Sequence, residues 1–256
     1  MPLPHLLHFR VSHYNEKVRW ALDFKGVAHT RESLVPGFHL PRVRALTGQS
    51  QLPVLVLDGR PLLGSAAIIE ALDRRYPDRP LIPFEPVLRT RALALEAWLD
   101  GDVAPILRRL FWSTYLDRPG DAARMATAGA SRVIRWLWRL TFPLMRPLFR
   151  RNMGIQHGDV ERARAAVPAL CDRLAAEIGP SGFLVGDVFT VSDLTAAAVM
   201  TAILRPPEFP YPLPEPWPPA LVAMREAMAS HAASRWAMDL YATRRSVSCE
   251  VRPPDP

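Results

Sequence analysis

The 256-residue sequence contains only two cysteines, Cys171 and Cys249, and no long apolar run. Two thiols cannot form a disulfide framework, and their spacing does not match a metal site, so we expect inert or surface thiols. No stretch reaches the roughly 18 consecutive apolar residues that a membrane-spanning helix needs. The first residues also lack the basic segment and long apolar segment of a secretion signal. We therefore expect a cytoplasmic protein.

Acidic residues are missing between Asp121 and Asp159, and this absence accounts for the net charge of +7. The stretch holds seven arginines, namely Arg124, Arg132, Arg135, Arg139, Arg146, Arg150 and Arg151. Without them, 25 basic residues would remain beside the 25 acidic ones. The rest of the chain is formally neutral, which argues against a general binder of nucleic acid.

The first third of the chain predicts alternating strands and helices. The predicted order is strand 3–9, helix 14–25, strand 30–35, helix 39–46, strands 52–57 and 60–63, and a helix capped by Ser65. The dipeptide Asp58-Gly59 lies between the last two strands and predicts a hairpin, because a tight primed turn needs positive φ.

The remainder of the chain predicts helices only. Prolines 77, 80, 83 and 86 mark a linker, and helical spacing follows in segments 87–116, 121–142, 160–178, 190–204 and 220–241. Residues 206–219 hold eight of the 27 prolines and predict an extended loop. This change in pattern predicts an α/β domain at 1–79 and an all-helical domain at 87–246.

Four stretches, in this order, resemble glutathione transferases. They are SHYNEKVRWALD (12–23) with Gly26-Val27 behind it, QLPVL (51–55), GSAAI (64–68) and GDVFTVSD (186–193). The first is similar to the opening of the first helix in bacterial and omega-, zeta- or theta-like members. The resemblance implies a thioredoxin-like N-terminal domain, the helical C-terminal domain of this family, glutathione as co-substrate, and a homodimer.

Ser12 stands where the first strand ends and the first helix begins. Unpaired N–H groups and the positive end of the helix dipole favour an anion there, including a thiolate. From the residues alone, Ser12 is either a helix cap or a group that contacts a bound anion. The resemblance implies that Ser12 donates to the glutathione sulfur and is the catalytic residue. Tyr14 is the competing hydroxyl, and Asn15 replaces the second cysteine of redox proteins, so dithiol chemistry is not expected.

The resemblance also implies a binding role for the segment around Pro53. A cis bond between Leu52 and Pro53 would turn the Leu52 backbone outward, so that it could pair with a peptide ligand as a strand edge does. From the residues alone, Pro53 is equally a proline that begins a strand. His39, Arg42 and Gln51 are candidates for the glycyl carboxylate of glutathione, or else solvated side chains.

Ser65 begins a helix, where the hydroxyl and the N–H groups favour a carboxylate, and the resemblance implies that it binds the γ-glutamyl carboxylate of glutathione. The residue before it is normally acidic or Gln in the family and contacts the ligand's ammonium group, but here it is Gly64. Loss of one charge-assisted hydrogen bond costs about 1.5–3 kcal/mol. Either another carboxylate takes its place, or glutathione binds weakly, or the ligand differs.

The segment 186–193 predicts the start of a helix. Thr190 and Asp193 form the pattern of a capping box, and Phe189 is placed to pack on Leu194. We expect these residues to support folding and assign them no catalytic role.

Segment 131–153 combines arginines with aromatic residues. Arg132, Arg135 and Arg139 share one helical face, and Pro143 and Pro147 predict a break or kink. Three interpretations are open: a helix that lines the core and a substrate pocket, a membrane-surface helix, or a cluster that attracts an anionic second substrate. The pocket interpretation is favoured over membrane contact.

The leading functional hypothesis is a glutathione-dependent transferase without bound metal. Ser12 would lower the pKa of the glutathione thiol, and the thiolate would attack an apolar electrophile. The alternative is a non-catalytic protein of the same fold that binds ligands, a membrane or another protein.

Overall fold

The computed structural model describes residues 2–245 and 247–251. Its sheet has four strands, β1 (His5–His8), β2 (Thr30–Ser33), β3 (Val54–Leu57) and β4 (Arg60–Leu63), in the order β2-β1-β3-β4. Strand β1 is parallel to β2 and antiparallel to β3, and β3 is antiparallel to β4. The predicted order of strands and helices in this half is confirmed, as is the thioredoxin-like fold.

Three helices cover the sheet, α1 (His13–Phe24), α2 (Leu40–Thr47) and α3 (Ser65–Arg75). Side chains alternate across each strand, so that Leu6 packs with Val18 of α1 and Ile68 of α3. Its neighbour Leu7 points to the other face and packs with Val43 of α2. The sheet is therefore buried on both faces.

The hairpin between β3 and β4 has the predicted turn. Asp58 has φ 49° and Gly59 has φ 79°. Two positive φ values in succession match the right-handed twist of the flanking strands, which explains why Asp-Gly stands here.

The rest of the described chain is mainly helical. Its helices are α4 (Pro86–Trp98), α5 (Ala104–Leu116), α6 (Pro119–Ala126), α7 (Arg132–Met153), α8 (His157–Glu177), α9 (Val191–Leu204), α10 (Pro219–Ala229) and α11 (Ala232–Arg244). A π-helical turn, Leu99–Val103, joins α4 to α5. No helix among the described residues is long and apolar enough to span a membrane.

Helix α9 is buried along its whole length and forms the centre of the helical part. The capping box at its start is confirmed, because the Asp193 carboxylate accepts from the Thr190 N–H at 2.8 Å. The same side chain accepts from the Leu184 N–H at 2.8 Å. Phe189 packs against Trp20 of α1, with ring centroids 5.7 Å apart, and so joins this helix start to the sheet layer.

Two predicted helical segments are wrong in their limits. Segment 121–142 divides into α6 and α7, and α7 continues past Pro143 and Pro147 to Met153. Both prolines lie on the exposed side, where water can bond the carbonyls that they leave without a donor. Segment 220–241 divides into α10 and α11, because the His231 side chain accepts from Ala233 N–H and starts a new helix.

The division into domains at the proline linker stays a prediction. One continuous hydrophobic core includes residues of α1, α3, α4, α5 and α9, so the two halves are packed tightly together. Residue 246, where the predicted helical domain ends, lies outside the described residues.

Candidate active site

Strand topology brings the predicted site segments to one end of the sheet. The carboxyl ends of β1 and β2 lie at this end, because the two strands are parallel. The start of β3 and the end of β4 lie there too, because β3 runs antiparallel to both of its neighbours. Ser12 and His39 lie in the connections that follow β1 and β2, the pair Leu52-Pro53 directly precedes β3, and the pair Gly64-Ser65 directly follows β4.

Ser12 occupies the N-cap position of α1, with φ −81° and ψ 128°. Its side chain accepts no capping hydrogen bond, although its carbonyl accepts from the Glu16 N–H at 3.0 Å. The hydroxyl is half-buried and makes no hydrogen bond within the described part of the chain. The interpretation of Ser12 as a side-chain cap is therefore wrong, and its hydroxyl is available to a ligand at the positive end of the helix.

The Tyr14 hydroxyl already has a partner. It donates to the Asp100 carbonyl in the π-helical turn at 2.8 Å. Burial raises the pKa of the phenol. Its proton is therefore engaged on the helical side of the molecule, whereas that of Ser12 is free.

Arg19 holds the loop that carries Ser12, and sequence reasoning missed this residue. Its guanidinium is completely buried and donates to the carbonyls of Phe9 at 3.0 Å, Arg10 at 3.3 Å and Ser12 at 3.4 Å. Its Nε bonds the buried Glu16 carboxylate at 2.7 Å. Three carbonyls of the loop are thus fixed by one planar group.

The Leu52–Pro53 peptide bond is cis, as the resemblance implies. Pro53 is buried, and Leu52 is half-buried. Neither the N–H nor the C=O of Leu52 forms a hydrogen bond with another described residue. Both groups remain available to an extended peptide ligand.

His39 supports this segment and is not free to bind a carboxylate. Its Nδ1 accepts from the Gly37 N–H at 3.1 Å, and its Nε2 donates to the Ser50 carbonyl at 3.0 Å. Burial lowers its pKa, so the ring is neutral. Arg42 is exposed and pairs with Glu32 at 3.4 Å. The Gln51 side chain is exposed and makes no hydrogen bond to another described group.

Helix α3 begins one residue earlier than the sequence predicts. Gly64 is the N-cap, with φ 79° and ψ 136°, and Ser65 is the first helical residue. The prediction that Ser65 caps the helix is therefore wrong, and its buried hydroxyl serves no capping bond. No acidic residue occupies the first turn, so no side chain of that turn neutralises the positive end of α3.

A cavity of about 50 Å³ lies beside Ser12, between the sheet and the helical part. Its walls come from three segments: Phe9–Val11, Ser33–Pro36 and Met125–Ala130, except Thr127. Arg10 crosses it and donates to the Ala128 carbonyl at 2.8 Å. Gly129 leaves room for this guanidinium, because a Cβ there would lie 1.7 Å from Arg10 Nη1. The sequence did not reveal Arg10 as a site residue.

The cysteines take no part in the chemistry of this site. Burial raises the pKa of the Cys171 thiol to about 11 and also raises that of Cys249. Both thiols are thus protonated at neutral pH and poor nucleophiles. Within residues 2–245 and 247–251, no group of three His, Cys, Asp or Glu side chains could hold a metal ion.

Comparison with known proteins shows which sequences and folds this arrangement resembles. Residues 6–80 match the sequence model of the glutathione S-transferase N-terminal domain. Over most of its length the chain has the fold of a theta-class glutathione S-transferase from Xanthomonas axonopodis pv. citri, solved with glutathione bound. The TM-score is 0.57, the identity is 22%, and 93% of this chain and 98% of that chain are covered. The N-terminal part of the chain therefore carries the sequence of a glutathione S-transferase N-terminal domain, and the chain has the fold of a glutathione transferase.

Curated relatives match over a shorter part. The maleylpyruvate isomerase of a Ralstonia species is 35% identical over 107 residues, 41% of this chain and 50% of that protein. A stringent starvation protein A homologue of Pasteurella multocida is 33% identical over 105 residues, again 41% of this chain and 50% of that protein. The matched region thus spans about half the length of these relatives. The names of these relatives differ, so the comparison does not indicate one particular reaction.

Proposed function

We propose that this protein is a glutathione-dependent transferase in which Ser12 activates the thiol of glutathione. The observation that carries the proposal is the unused Ser12 hydroxyl at the positive end of α1. A hydrogen bond to the sulfur and the helix dipole both stabilise the thiolate, which lowers the thiol pKa toward neutrality. The thiolate would then attack an electrophilic carbon of the second substrate.

The residues at the end of the sheet fit most of the tripeptide. The free N–H and C=O of Leu52 suit the ligand backbone, and the first turn of α3 with the Ser65 hydroxyl suits the γ-glutamyl carboxylate. Gln51 is the remaining candidate for the glycyl carboxylate, since His39 is committed to Gly37 and Ser50 and Arg42 pairs with Glu32. Gly64 offers no side-chain acceptor to the ammonium group.

The cavity beside Ser12 supports an apolar electrophile. Val11, Leu34, Val35, Met125 and Ala126 give it walls without charge. An apolar substrate would gain contact with these side chains, while the Arg10 guanidinium that also lines the cavity keeps its hydrogen bond to the Ala128 carbonyl. Conjugation of an apolar electrophile is therefore our first candidate reaction.

A second candidate is isomerisation of an unsaturated carboxylic acid, favoured by one residue. The Arg10 guanidinium lies in the same cavity, and its buried Nε has no partner among the described residues. A guanidinium pairs strongly with a carboxylate. In this reaction the thiolate adds to a double bond and is eliminated again after rotation, so glutathione is recovered. An assay of glutathione consumption separates the two reactions.

Thermal unfolding in the presence of glutathione tests the proposal. At 100 times its Kd, glutathione should stabilise the folded state by about 2.7 kcal/mol. For a chain of this size, that raises the melting temperature by roughly 5–10 °C. Cysteinylglycine, which lacks the γ-glutamyl group, is the control ligand and should have a smaller effect. An unchanged melting temperature at millimolar glutathione contradicts the proposal, and binding without turnover supports the non-catalytic alternative.

Two substitutions at Gly64 separate backbone strain from the missing acidic contact. A Cβ at Gly64 meets nothing within 4 Å, but φ of 79° is unfavourable for an L side chain. We expect Gly64→Ala and Gly64→Glu each to lose about 1–3 kcal/mol of unfolding free energy. Gly64→Glu should nevertheless bind glutathione roughly 10- to 100-fold more tightly than Gly64→Ala, by calorimetry. Equal affinities would show that another group already holds the ammonium.

A further inference from the structure

Helix α7 has two apolar sides, and only one of them is used within the described chain. On the inner side Trp138 and Phe142 are each 1% exposed, and their rings stack 4.4 Å apart. Trp138 Nε1 donates to the Pro36 carbonyl at 2.9 Å, which fixes the helix on the loop after β2. The inner side of α7 thus belongs to the hydrophobic core, whereas the cavity wall is formed by residues before the helix.

The outer side carries a continuous apolar stripe in contact with solvent. The exposed fractions are 65% for Val133, 62% for Trp136, 39% for Leu137, 62% for Leu140, 85% for Leu144 and 61% for Leu148. Steps of three and four residues align these side chains along one face over four turns. A contiguous apolar surface of this kind marks an interaction site in a soluble fold.

Unpaired positive charge flanks this stripe. Arg132 and Arg139 lie along one side of it, and Arg151 lies near its end. All three are exposed, and none has a hydrogen bond or ion pair with another described residue. The sequence has no acidic residue from 122 to 158 that could neutralise them. The partner of this face must therefore be both apolar and anionic.

We propose that α7 docks its outer face on an anionic phospholipid surface. The stripe would enter the acyl region, while Arg132, Arg139 and Arg151 contact lipid phosphates at the level of the headgroups. Trp136 suits the boundary between the two layers, because its ring is apolar and its N–H is polar. The helix is about 33 Å long and would lie in the plane of the surface.

A second copy of this chain fits the face less well. Two copies related by a two-fold axis would bring the same unpaired arginines together, and the segment supplies no acidic residue to separate them. Like charges at an interface oppose association. An anionic lipid surface meets both the apolar and the electrostatic requirement.

Co-sedimentation with vesicles tests the proposal on the full-length protein. The vesicles are phosphatidylcholine alone and phosphatidylcholine with phosphatidylglycerol, each at low and at high salt. We expect binding to the anionic vesicles that weakens at high salt. Each arginine removed should lower the partition coefficient roughly fivefold, so Arg132→Gln/Arg139→Gln should lower it about 25-fold. Leu140→Glu/Leu144→Glu should abolish binding.

Matched variants keep the test specific. Arg60→Gln/Arg164→Gln removes the same charge from exposed positions outside α7, and Phe84→Glu places an acid at a 79% exposed apolar residue of the linker. Both should bind vesicles nearly as the unaltered protein does. Absence of binding to anionic vesicles at low salt overturns the proposal, and so does an equal loss in the matched variants. A dimer in sedimentation velocity that Leu144→Glu dissociates, without vesicle binding, assigns the face to a second copy instead.

Discussion

Ser12→Ala should lower glutathione-dependent turnover of a generic aryl halide on the order of 100-fold and leave the free energy of unfolding unchanged. The loss follows because the variant removes a hydrogen bond to the developing thiolate. Stability is retained because the Ser12 side chain caps nothing in the fold. The thiol pKa of bound glutathione, followed by ultraviolet absorbance of the thiolate, should rise in the variant by at least one pH unit, since one unit is about 1.4 kcal/mol.

Ser181→Ala is the matched control for this substitution. The Ser181 hydroxyl donates to the Gly186 carbonyl at 2.7 Å, in a loop of the helical part. Its loss should lower stability by about 0.5–1.5 kcal/mol and leave turnover intact, the opposite of the pattern at Ser12. Full activity of Ser12→Ala together with an inactive Tyr14→Phe would instead assign the thiolate contact to Tyr14.

Arg19→Met should destabilise the fold by about 3–5 kcal/mol in urea denaturation. The substitution leaves a buried Glu16 carboxylate without one of its cations and the Arg10 carbonyl without its donor, and it leaves the Phe9 carbonyl with only the Ser12 N–H at 3.4 Å. Removing the partner of a buried polar group lowers the free energy of unfolding much more than removing the partner of an exposed one. Arg19→Lys keeps the charge but loses the planar fork, so we expect an intermediate loss.

Arg164→Met serves as the control for Arg19. Arg164 is 60% exposed and lies 4.0 Å from Glu161, an ion pair that water screens. Its removal should change stability by less than about 0.5 kcal/mol. A similar small change in Arg19→Met would contradict the view that this residue holds the Ser12 loop.

Local chemistry made parts of the fold predictable. The Asp58-Gly59 turn and the Thr190–Asp193 capping box involve residues two or three positions apart, so the sequence itself contains all partners of these structures. The order of strands and helices in the first third follows from short apolar patterns of the same kind. Once this order is known, the strand directions alone place Ser12 and Ser65 at the same end of the sheet.

Other features depend on distant partners and could not be predicted. Periodicity treats charged side chains as exposed, yet Glu16, Lys17, Arg19 and Asp23 of α1 are all buried. Each is buried because groups far along the chain reach it, as Arg245 does for Glu16 at 2.8 Å. The sequence offered His39 as a carboxylate ligand, but the ring contacts Gly37 and Ser50, and these partners come from the fold. The course of α7 through Pro143 likewise depends on which side of the helix meets water.

The short segment from Met125 to Ala130 forms a wall of the cavity beside Ser12 and leads directly into α7. Arg10 and Trp138 fasten the two ends of this unit to the sheet, through Ala128 and Pro36. A partner that displaces α7 must therefore also move the cavity wall. Thermodynamic linkage is reciprocal. If a bound substrate changes the affinity of α7 for its partner by some factor, the bound partner changes the affinity of the site for that substrate by the same factor.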